Sequence, residues 1–596
     1  MHRFKIISFL KDFSRRRLPP PSDLFMLFCI AIFYSISFIW IYAGFLLSWN
    51  VPAEIIKWLQ VSCALILLLL LLNRLHINRI LSIFITAIFL FWHFVLLFYY
   101  LTTQTRLDYF FIANCLGDIN SIIGLLIYII LFFIVLSISY AYLLSKIYTP
   151  FRKNKKIFFL ITIFFLSSFF LPKYYQNESV LFFKTFMASN KTMDYYQVFY
   201  KNFINESITS RAKTITQWQN KKNLPLPSYL DNIIILQLES FSDKMVNSTT
   251  TPNFWNFAKE NVYFPKFISN NVQTILAQEN ILCSVPGSFR SKLSDDDSEK
   301  KLFCLPAILK NAGYRTLFFQ DLELSFADTG KFMSGSGFDE VHGPEIAKAG
   351  DPKLLWGYQE DIFYKRVFDF IANNNSTNTR NFIYIAISAT NHWPFKLSAN
   401  KEMETPFIQP KTPFDQLVDT TYLQDKYLGS ALEQIKEKFP TENYTLIILG
   451  DHSVPFGFGL HENSKANWGY YQDGFVTSMA IKVGKEKTYQ HQIISDAYSQ
   501  MDIMPSIAYL FGITTTESVW SGSFWQKNNP NKKIIMIQPF ADRYLNILLP
   551  NEKQKIQYDF FENHLNKNGV DDNFNETTEN TFDHNSSLIE LKKYLN

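Results

Sequence analysis

Five long apolar stretches fill the first 171 residues and constrain the fold more than any other feature of the sequence. About 20 apolar residues are needed for a helix to cross the hydrocarbon core of a bilayer. The stretches run over Leu24–Trp49, Ile56–Leu72, Ile80–Leu101, Ser121–Leu144 and Ile157–Leu171. We therefore predict an α-helical membrane domain with five spans in residues 1–171.

The basic residues between these stretches predict the orientation of the domain. Residues 1–171 contain 15 Lys and Arg against 5 Asp and Glu. Thirteen of these basic residues lie in the N-terminal tail, the turn at Arg74–Arg79 and the loop that begins at Lys146. Because loops rich in Lys and Arg stay in the cytoplasm, the N-terminus is predicted to be cytoplasmic. Five crossings then put the rest of the chain on the outer side.

The chain after Leu171 has a different character. Residues 172–230 mix aromatic and basic side chains, which predicts a juxtamembrane amphipathic linker on the outer leaflet, or alternatively a solvated linker. From residue 172 onward there are 42 Lys and Arg against 47 Asp and Glu, with no basic stripe. This charge pattern argues against a nucleic acid partner.

Apolar runs alternate with helical patterns from residue 231 onward, which predicts an α/β domain with a mostly parallel sheet. The predicted strands are Asn232–Leu238, Arg315–Phe319, Asn381–Ile387 and Thr445–Leu449, and the predicted helices are Leu305–Asn311, Asp361–Asn373 and Asp419–Lys438. We place the domain at 231–528. Residues 529–596 are predicted to add C-terminal strands that complete it, at Lys533–Pro539 and Lys553–Phe561, and a polar tail.

Candidate ligand side chains lie just after three of these runs, within five positions of the last apolar residue. Glu239 follows the first, His392 lies just beyond the run that ends at Ile387, and Asp451-His452 follow the run that ends at Leu449. The carboxyl ends of parallel strands meet at one edge of a sheet, where ligands bind. Carboxylate and imidazole groups that meet there are suited to one divalent cation.

Two cysteines of the exported part, Cys283 and Cys304, are 21 positions apart. In an oxidising compartment such a pair is expected to form a disulfide. A zinc site is the weaker alternative, since no CxxC motif and no nearby His accompany them.

A series of short motifs resembles the alkaline phosphatase–sulfatase superfamily, and within it the branch of lipoteichoic acid synthases and periplasmic glucan phosphoglycerol transferases. The motifs, in chain order, are Leu238-Glu239-Ser240-Phe241, Gln273–Gln278, Gly313–Thr316, Trp356-Gly357, Asn391–Phe395, Gly450-Asp451-His452 and Asp502–Ser506. The resemblance covers roughly Asn232–Ile513 and includes a five-span anchor in front. It also supports the disulfide, because the family has paired cysteines at these places.

The resemblance implies a set of roles for individual residues. Thr274 is the expected nucleophile, and Glu239, Asp451 and His452 are expected to hold the metal together with it. A divalent cation makes a threonine hydroxyl a better nucleophile by lowering its pKa. His392 is expected to assist at a phosphoryl or leaving oxygen. The implied cofactor is one divalent cation, manganese first, with magnesium or zinc as alternatives.

The implied reaction moves glycerol phosphate from phosphatidylglycerol to a periplasmic or surface glycan through a Thr-linked phosphodiester. The loop Phe326–Lys331 lacks the Trp and Arg with which the Gram-positive synthases bind glycerol phosphate. We therefore assign substrate contacts to Asp321, Lys331, Trp356 and His392. Phosphatidylethanolamine as donor remains an alternative, which would make the protein a phosphoethanolamine transferase acting on lipid A or an envelope glycan. A third hypothesis is a catalytically silent, glycan-binding module.

Two motifs, at Cys304–Tyr314 and Phe326–Gly343, resemble the Gram-negative members of this branch. The resemblance therefore predicts a multi-pass protein of the bacterial inner membrane. Its partners are the lipid bilayer, the lipid donor and the glycan acceptor, and its catalytic domain faces the periplasm.

Overall fold

A computed structural model describes the chain in two units, Met1–Ser189 and Asn190–Asn596. In the first unit the described residues are scattered positions from 60 to 77, then 78–103, 134, 137 and 138. In the second they are 232–286, 304–354, 356–374, 379–393, 395, 397, 405–406, 412–454, 474–512, 520–526, 531–537, 544–559, 564–570 and 576–581. The predicted linker at 172–230 lies outside them.

The first unit contains helix α1, Arg79–Thr103, which matches the predicted span at Ile80–Leu101. The other four predicted spans lie wholly or largely outside the described residues. Counted over the described residues alone, no helix is long and apolar enough to cross a membrane. The five spans therefore stay predictions.

The second unit is built on a nine-stranded sheet with the order β10-β2-β9-β8-β1-β7-β3-β4, and β11 pairs with β2. Its strands are β1 Asn232–Leu238, β2 Val262–Ile268, β3 Arg315–Gln320, β4 Glu340–His342, β7 Asn381–Ala386, β8 Tyr444–Gly450, β9 Val476–Val483, β10 Gln492–Ile493 and β11 Tyr498–Ser499. Only β9 pairs antiparallel with its neighbours, β2 and β8. The predicted mostly parallel sheet is therefore confirmed. The short strands β5 Lys353–Leu354 and β6 Gly357–Tyr358 form a separate hairpin.

The central strands are buried on both faces, as their continuous apolar sequences predict. Every residue of β1 from Ile233 to Leu238 is buried. One core cluster joins Ile234 and Leu236 to Phe363, Val367 and Leu428 of the flanking helices. The helices of the unit are α2 Pro252–Glu260, α3 Thr274–Cys283, α4 Leu305–Asn311, α5 Thr329–Ser336, α6 Glu360–Asn374, α7 Pro413–Lys438 and α8 Ile503–Leu510.

The four predicted strands and three predicted helices are present. Most of their observed ends lie within a few residues of the predicted ends. Helix α7 is the exception, because it starts at Pro413, six positions before the predicted start. Thr412 caps it by accepting the N–H of Asp415. The sequence did not indicate β2 and β9. Pro265 and Lys266 interrupt the apolar run of β2, and polar side chains interrupt that of β9.

The C-terminal region forms a second sheet, antiparallel throughout, with the order β12-β13-β14-β15-β16. Its strands are β12 Ile534–Ile537, β13 Tyr544–Leu549, β14 Gln554–Asp559, β15 His564–Val570 and β16 Glu576–Thr581. Two strand-like runs were predicted here, and the structure has five strands. The sheet packs on the main one through a cluster that includes Ile268, Phe475, Ile534 and Leu548. The last two strands are polar, and polar sequences give little strand signal.

The disulfide between Cys283 and Cys304 is confirmed, with Cα atoms 4.2 Å apart. It joins the end of α3 to the residue that precedes α4. A cross-link that closes a loop of this length stabilises a fold by roughly 3 kcal/mol.

Gly450, the last residue of β8, sits where only a glycine fits. A Cβ there would lie 2.9 Å from Phe241 Cβ and 3.0 Å from Phe241 O, and it would also meet Thr477 Oγ1. We expect Gly450→Ala to lower the free energy of unfolding by about 1–3 kcal/mol, because the packed neighbours must shift. Thermal unfolding of the full chain in detergent measures this effect.

Gly335→Ala is the matched control for this prediction. Gly335 lies in α5, and a Cβ there would meet no atom within 4 Å. Alanine favours a helix over glycine by up to ~1 kcal/mol, so this variant should be as stable as the wild type or more stable. Equal unfolding temperatures for the two variants would contradict the packing argument.

Candidate metal centre

The strand register brings two carboxylates together at the sheet edge. Leu238 and Gly450, the last residues of β1 and β8, are parallel partners. The next residues are Glu239 and Asp451, and the backbone N–H of Asp451 donates to Leu238 O at 3.0 Å. The predicted meeting of strand ends is therefore present in the fold.

Glu239, Asp451 and His452 form a cluster in which one ligand atom of each lies within 4.8 Å of the others. His452 Nε2 is 3.6 Å from Glu239 Oε1 and 3.4 Å from Asp451 Oδ2. All three residues are buried. His452 Nδ1 lies 2.7 Å from the carbonyl oxygen of Ser453, which can only accept a hydrogen bond. Nδ1 therefore carries a proton, and Nε2 is the ring atom that faces the carboxylates and could bind a cation.

A tight turn after β1 shapes the cluster. Ser240 adopts a left-handed conformation, φ 49°, which is uncommon for a residue with a side chain. Its N–H donates to Asp451 Oδ1 at 3.0 Å, and its hydroxyl donates to Glu239 Oε1 at 2.8 Å. Asp451 Oδ1 also accepts the N–H of His452 at 2.7 Å. The strained turn therefore aims both carboxylates at one point.

The electrostatics of the cluster favour a cation. Burial raises the pKa of Glu239 well above its ordinary value, and the charge of Asp451 raises it further. Asp451 Oδ2 is buried without a hydrogen-bond partner among the described residues. Two buried carboxylates and an imidazole lone pair are a donor set that fits a divalent cation, which would neutralise this repulsion.

Thr274 lies beside the cluster, at the first position of α3. Its hydroxyl donates to Glu239 Oε2 at 3.3 Å, and its side chain is partly exposed. The residue before it, Gln273, makes no capping hydrogen bond from its side chain. The N-terminus of a ten-residue helix with no side-chain cap attracts negative charge, such as that of a phosphoryl oxygen.

His392 is partly buried close to the cluster. Burial, together with the charge that His452 would carry, lowers its pKa to about 4. Its Nδ1 lies 2.9 Å from Trp393 O, so Nδ1 carries the proton and Nε2 is a hydrogen-bond acceptor. The indole of Trp356 packs on the ring at a centroid distance of 4.3 Å, and its Nε1 donates to Trp393 O at 2.7 Å. Trp356 therefore lies beside His392, and its contact with substrate stays a prediction.

The other two residues predicted to contact substrate are placed differently. Asp321 is fully buried rather than facing a substrate. Both of its carboxylate oxygens accept backbone N–H groups, those of Ser388 and Ala389, at 3.0–3.1 Å. These contacts give Asp321 a supporting role in the loop before His392. Lys331 is exposed on α5, and its substrate contact stays a prediction.

Several buried polar residues around the site were not identified from the sequence. Asn391 Nδ2 donates to the carbonyl oxygens of Glu239 and Ser240 at 3.1 and 3.2 Å, and Asn391 Oδ1 accepts the Thr420 hydroxyl at 2.7 Å. Gln424 Nε2 donates to Glu239 O at 3.2 Å. Asn391 begins the motif Asn391–Phe395, but the sequence gave no role for its side chain. The residues on α7 read as the polar positions of an amphipathic helix.

Comparison with known proteins agrees with the fold and the motifs. Residues 231–513 match the sulfatase family. Lipoteichoic acid synthase of Staphylococcus aureus strain USA300 is 26% identical over 347 residues, which are 52% of this chain and 51% of that protein. The chain thus spans about half the length of the curated relatives that it matches. The resemblance to the lipoteichoic acid synthase branch is confirmed.

Two solved structures are also similar to the chain. An alkaline phosphatase superfamily protein from Vibrio parahaemolyticus aligns with a TM-score of 0.49 and 17% identity, covering 65% of this chain and 93% of that one. The lipoteichoic acid synthase LtaP from Listeria monocytogenes aligns with a TM-score of 0.47 and 18% identity, covering 64% of this chain and 96% of that one.

The metal centre predicts opposite effects of one substitution with and without metal. Asp451→Asn keeps Oδ1, which accepts two N–H groups, and replaces the unpartnered Oδ2. We expect the metal-free variant to unfold at the wild-type temperature or above, because a buried repulsion is removed. We expect Mn²⁺ to raise the unfolding temperature of the wild type and to leave that of Asp451→Asn unchanged. Thermal unfolding with EDTA and with Mn²⁺ measures both effects.

Asp425→Asn is the matched control. Asp425 is buried and accepts the N–H groups of Asn253 and Phe254, both at 2.8 Å, outside the cluster. Mn²⁺ should raise the unfolding temperature of this variant by as much as that of the wild type. An Asp451→Asn variant that still gains stability from Mn²⁺ would contradict the assignment of the site.

A second pair of buried acids predicts how stability depends on pH. Burial raises the pKa of Asp321 to about 7, and burial together with the charge of Asp321 raises that of Glu360 to about 8. Both values lie above the ordinary ones of 3.8 and 4.5, so the folded state holds these protons more tightly than the unfolded state. Their contribution to stability is therefore complete below about pH 4 and is lost as the pH rises to about 8.

Glu360→Gln tests this pH dependence, since it mimics the protonated acid. We expect the fall in unfolding temperature between about pH 5 and pH 8.5 to be smaller in the variant than in the wild type. Parallel pH profiles for the two proteins would contradict the prediction. The comparison cancels the contributions of all other titrating groups.

Proposed function

We propose that this protein is a metal-dependent phosphotransferase that moves glycerol phosphate from phosphatidylglycerol to an envelope glycan. One observation carries the proposal: the partly exposed Thr274 hydroxyl hydrogen-bonds to Glu239 in a buried cluster suited to a cation. A nucleophile at a helix N-terminus beside a metal centre suits attack on an anionic phosphodiester. The similarity to a lipoteichoic acid synthase supports the same class of reaction.

In the first step Thr274 Oγ1 attacks the phosphorus of phosphatidylglycerol. The bond between Thr274 Oγ1 and phosphorus forms while the bond from phosphorus to the diacylglycerol oxygen breaks. The proton that Thr274 loses is balanced by the proton that diacylglycerol gains through solvent. Glycerol phosphate is then held on Thr274 as a phosphodiester.

In the second step a glycan hydroxyl attacks the same phosphorus. His392 Nε2 takes the proton of that hydroxyl, since Nδ1 is already committed to Trp393 O. The bond to Thr274 breaks, and Thr274 regains a proton. The low pKa of His392 keeps its ring neutral at neutral pH, so that Nε2 can accept a hydrogen bond from this hydroxyl before the proton moves.

Glu239, Asp451 and His452 are the residues that would hold the cation, with the Thr274 oxygen as a further ligand. When bound, a divalent cation lowers the pKa of the threonine hydroxyl and neutralises charge on the phosphoryl oxygens. We propose manganese as the ion, with magnesium and zinc as the alternatives to be compared. The chain's own contribution is to orient Thr274 and to bury the ligands.

We place the sulfatase-family domain on the outer face of a bacterial inner membrane, anchored by the predicted spans. The disulfide between Cys283 and Cys304 supports this location, because disulfides persist in oxidising compartments such as the periplasm. A lipid donor in the outer leaflet and a periplasmic glycan acceptor would both be reachable there.

Thr274→Val and Thr274→Ser test the nucleophile as a matched pair. Valine keeps the branched shape and removes the hydroxyl, whereas serine keeps the hydroxyl. With Mn²⁺ and fluorescent phosphatidylglycerol, we expect diacylglycerol release to fall by roughly 10⁴-fold or more in Thr274→Val. Thr274→Ser should retain measurable release. Wild-type protein quenched in acid should carry glycerol phosphate on the peptide that contains Thr274.

The same assay with phosphatidylethanolamine separates the donors. Release from that lipid alone would replace the proposal with a phosphoethanolamine transferase. No release from either lipid and no bound Mn²⁺ would instead indicate a silent, glycan-binding module.

A further inference from the structure

The loop that carries His392 is held by two buried carboxylates from outside the metal cluster. Asp321 follows β3, and Glu360 begins α6. Asp321 accepts the backbone N–H groups of Ser388 and Ala389, and Glu360 Oε1 accepts that of Thr390 at 2.8 Å. Three consecutive N–H groups of the loop therefore end on two acids.

We propose that Asp321 and Glu360 are positioning residues that fix His392 for proton transfer. The inference rests on the role proposed above for His392. Two residues after Thr390, the chain reaches the imidazole, and Asn391 between them is itself bonded to the backbone of Glu239 and Ser240. The loop is thus fixed on both sides of the residue that precedes His392.

Asp321 also holds the other wall of the His392 site. Its carbonyl oxygen accepts the N–H of Tyr358 at 3.3 Å, in the hairpin that presents Trp356. A Cβ on Gly357 would lie 2.8 Å from that oxygen and 3.1 Å from Asp321 Cγ, so the hairpin backbone packs directly on Asp321. Because Trp356 packs on the imidazole and bonds to Trp393 O, one residue orients both the ring and its aromatic neighbour.

Burial of the two acids in this anchor has a free-energy cost. Both acids are completely buried, and Glu360 Oε2 has no hydrogen-bond partner among the described residues. Burying a carboxyl group with an unsatisfied oxygen costs free energy. The raised pKa values of both acids reflect that cost.

Amide hydrogen exchange tests the anchor without any enzymatic assay. In the full chain in detergent, Asp321→Ala should speed exchange in the peptide that contains Ser388 and Ala389 by at least about tenfold. Asp321→Asn, which keeps the volume and one acceptor oxygen, should give a smaller increase and serves if the alanine variant does not fold. Unchanged exchange in both variants would overturn the proposal.

Asp339→Asn is the matched control. Asp339 accepts the N–H of Thr316 at 3.0 Å, near the start of the same strand that Asp321 follows, at the end away from the metal centre. It should leave exchange in the 388–390 peptide and the turnover rate as in the wild type. Faster exchange of this peptide in the control would mean that any loss of a carboxylate near β3 loosens the loop, and would overturn the assignment.

Kinetics distinguish positioning from a merely structural role. We expect Asp321→Ala to lower kcat by on the order of 10²-fold with an unchanged affinity for Mn²⁺, since a misplaced proton acceptor impairs the chemical step. Combined with His392→Ala, it should cause little further loss, because both changes remove the same function. Effects that multiply in the double variant would show that Asp321 acts independently of His392 and would overturn the proposal.

Failure of the proposed function would be recognised separately. If wild-type protein released no diacylglycerol from either lipid, the transferase and the role of His392 would both be refuted. Faster exchange in Asp321→Ala would then still establish the anchor as a feature of the loop.

Discussion

The repulsion between two buried carboxylates is the constraint around which this domain is organised. Glu239 and Asp451 extend adjacent parallel strands by one residue each, so the sheet itself forces them together. Burial removes the water that would otherwise screen their charges. A fold that keeps both groups ionised needs a cation between them, and the lone pair of His452 Nε2 completes a donor set for one.

Much of the surrounding polar network holds the backbone of the ligand turns rather than the ligands. Ser269 Oγ donates to Asp451 O at 2.8 Å, and Asn391 and Gln424 donate to Glu239 O. These residues come from the turn after β2, from the His392 loop and from α7. The position of the cluster is thus fixed from several directions, which is what a preorganised site needs. Thr274, the proposed nucleophile, is partly exposed at a helix terminus.

Asp321 and Glu360 form a second pair of buried acidic residues near the sheet edge. Asp321 and Glu360 accept hydrogen bonds from the amides of the His392 loop. Glu239 and Asp451, in contrast, are suited to bind a cation. In both pairs the burial of the acids costs free energy, and the buried acids hold defined positions at the sheet edge. Asn391 connects the two pairs: it follows Thr390 in the loop, and its side chain donates to the backbone carbonyl oxygens of Glu239 and Ser240.

The sequence by itself determined the parallel core and the centre of the site. Runs such as Asn232–Leu238 are apolar at nearly every position, and this pattern is sufficient to indicate a strand buried on both faces. Residues that follow such runs meet at one edge, so Glu239, Asp451 and His452 were expected close together, as the structure has them, and the family resemblance suggested their roles and that of Thr274. The cysteine pair could likewise be read from spacing and compartment.

Only the tertiary structure decided what the remaining polar residues do. Asp321 has the same sequence signal as Glu239, a carboxylate just after a strand, yet its side chain turns inward to loop amides. Glu360 and Gln424 look like ordinary polar positions of helices. Strands β2 and β9 give little sequence signal because Pro265 and Lys266 in β2 and polar residues in β9 interrupt their apolar runs. Sequence patterns report local burial, whereas these roles depend on hydrogen bonds between segments that only folding brings together.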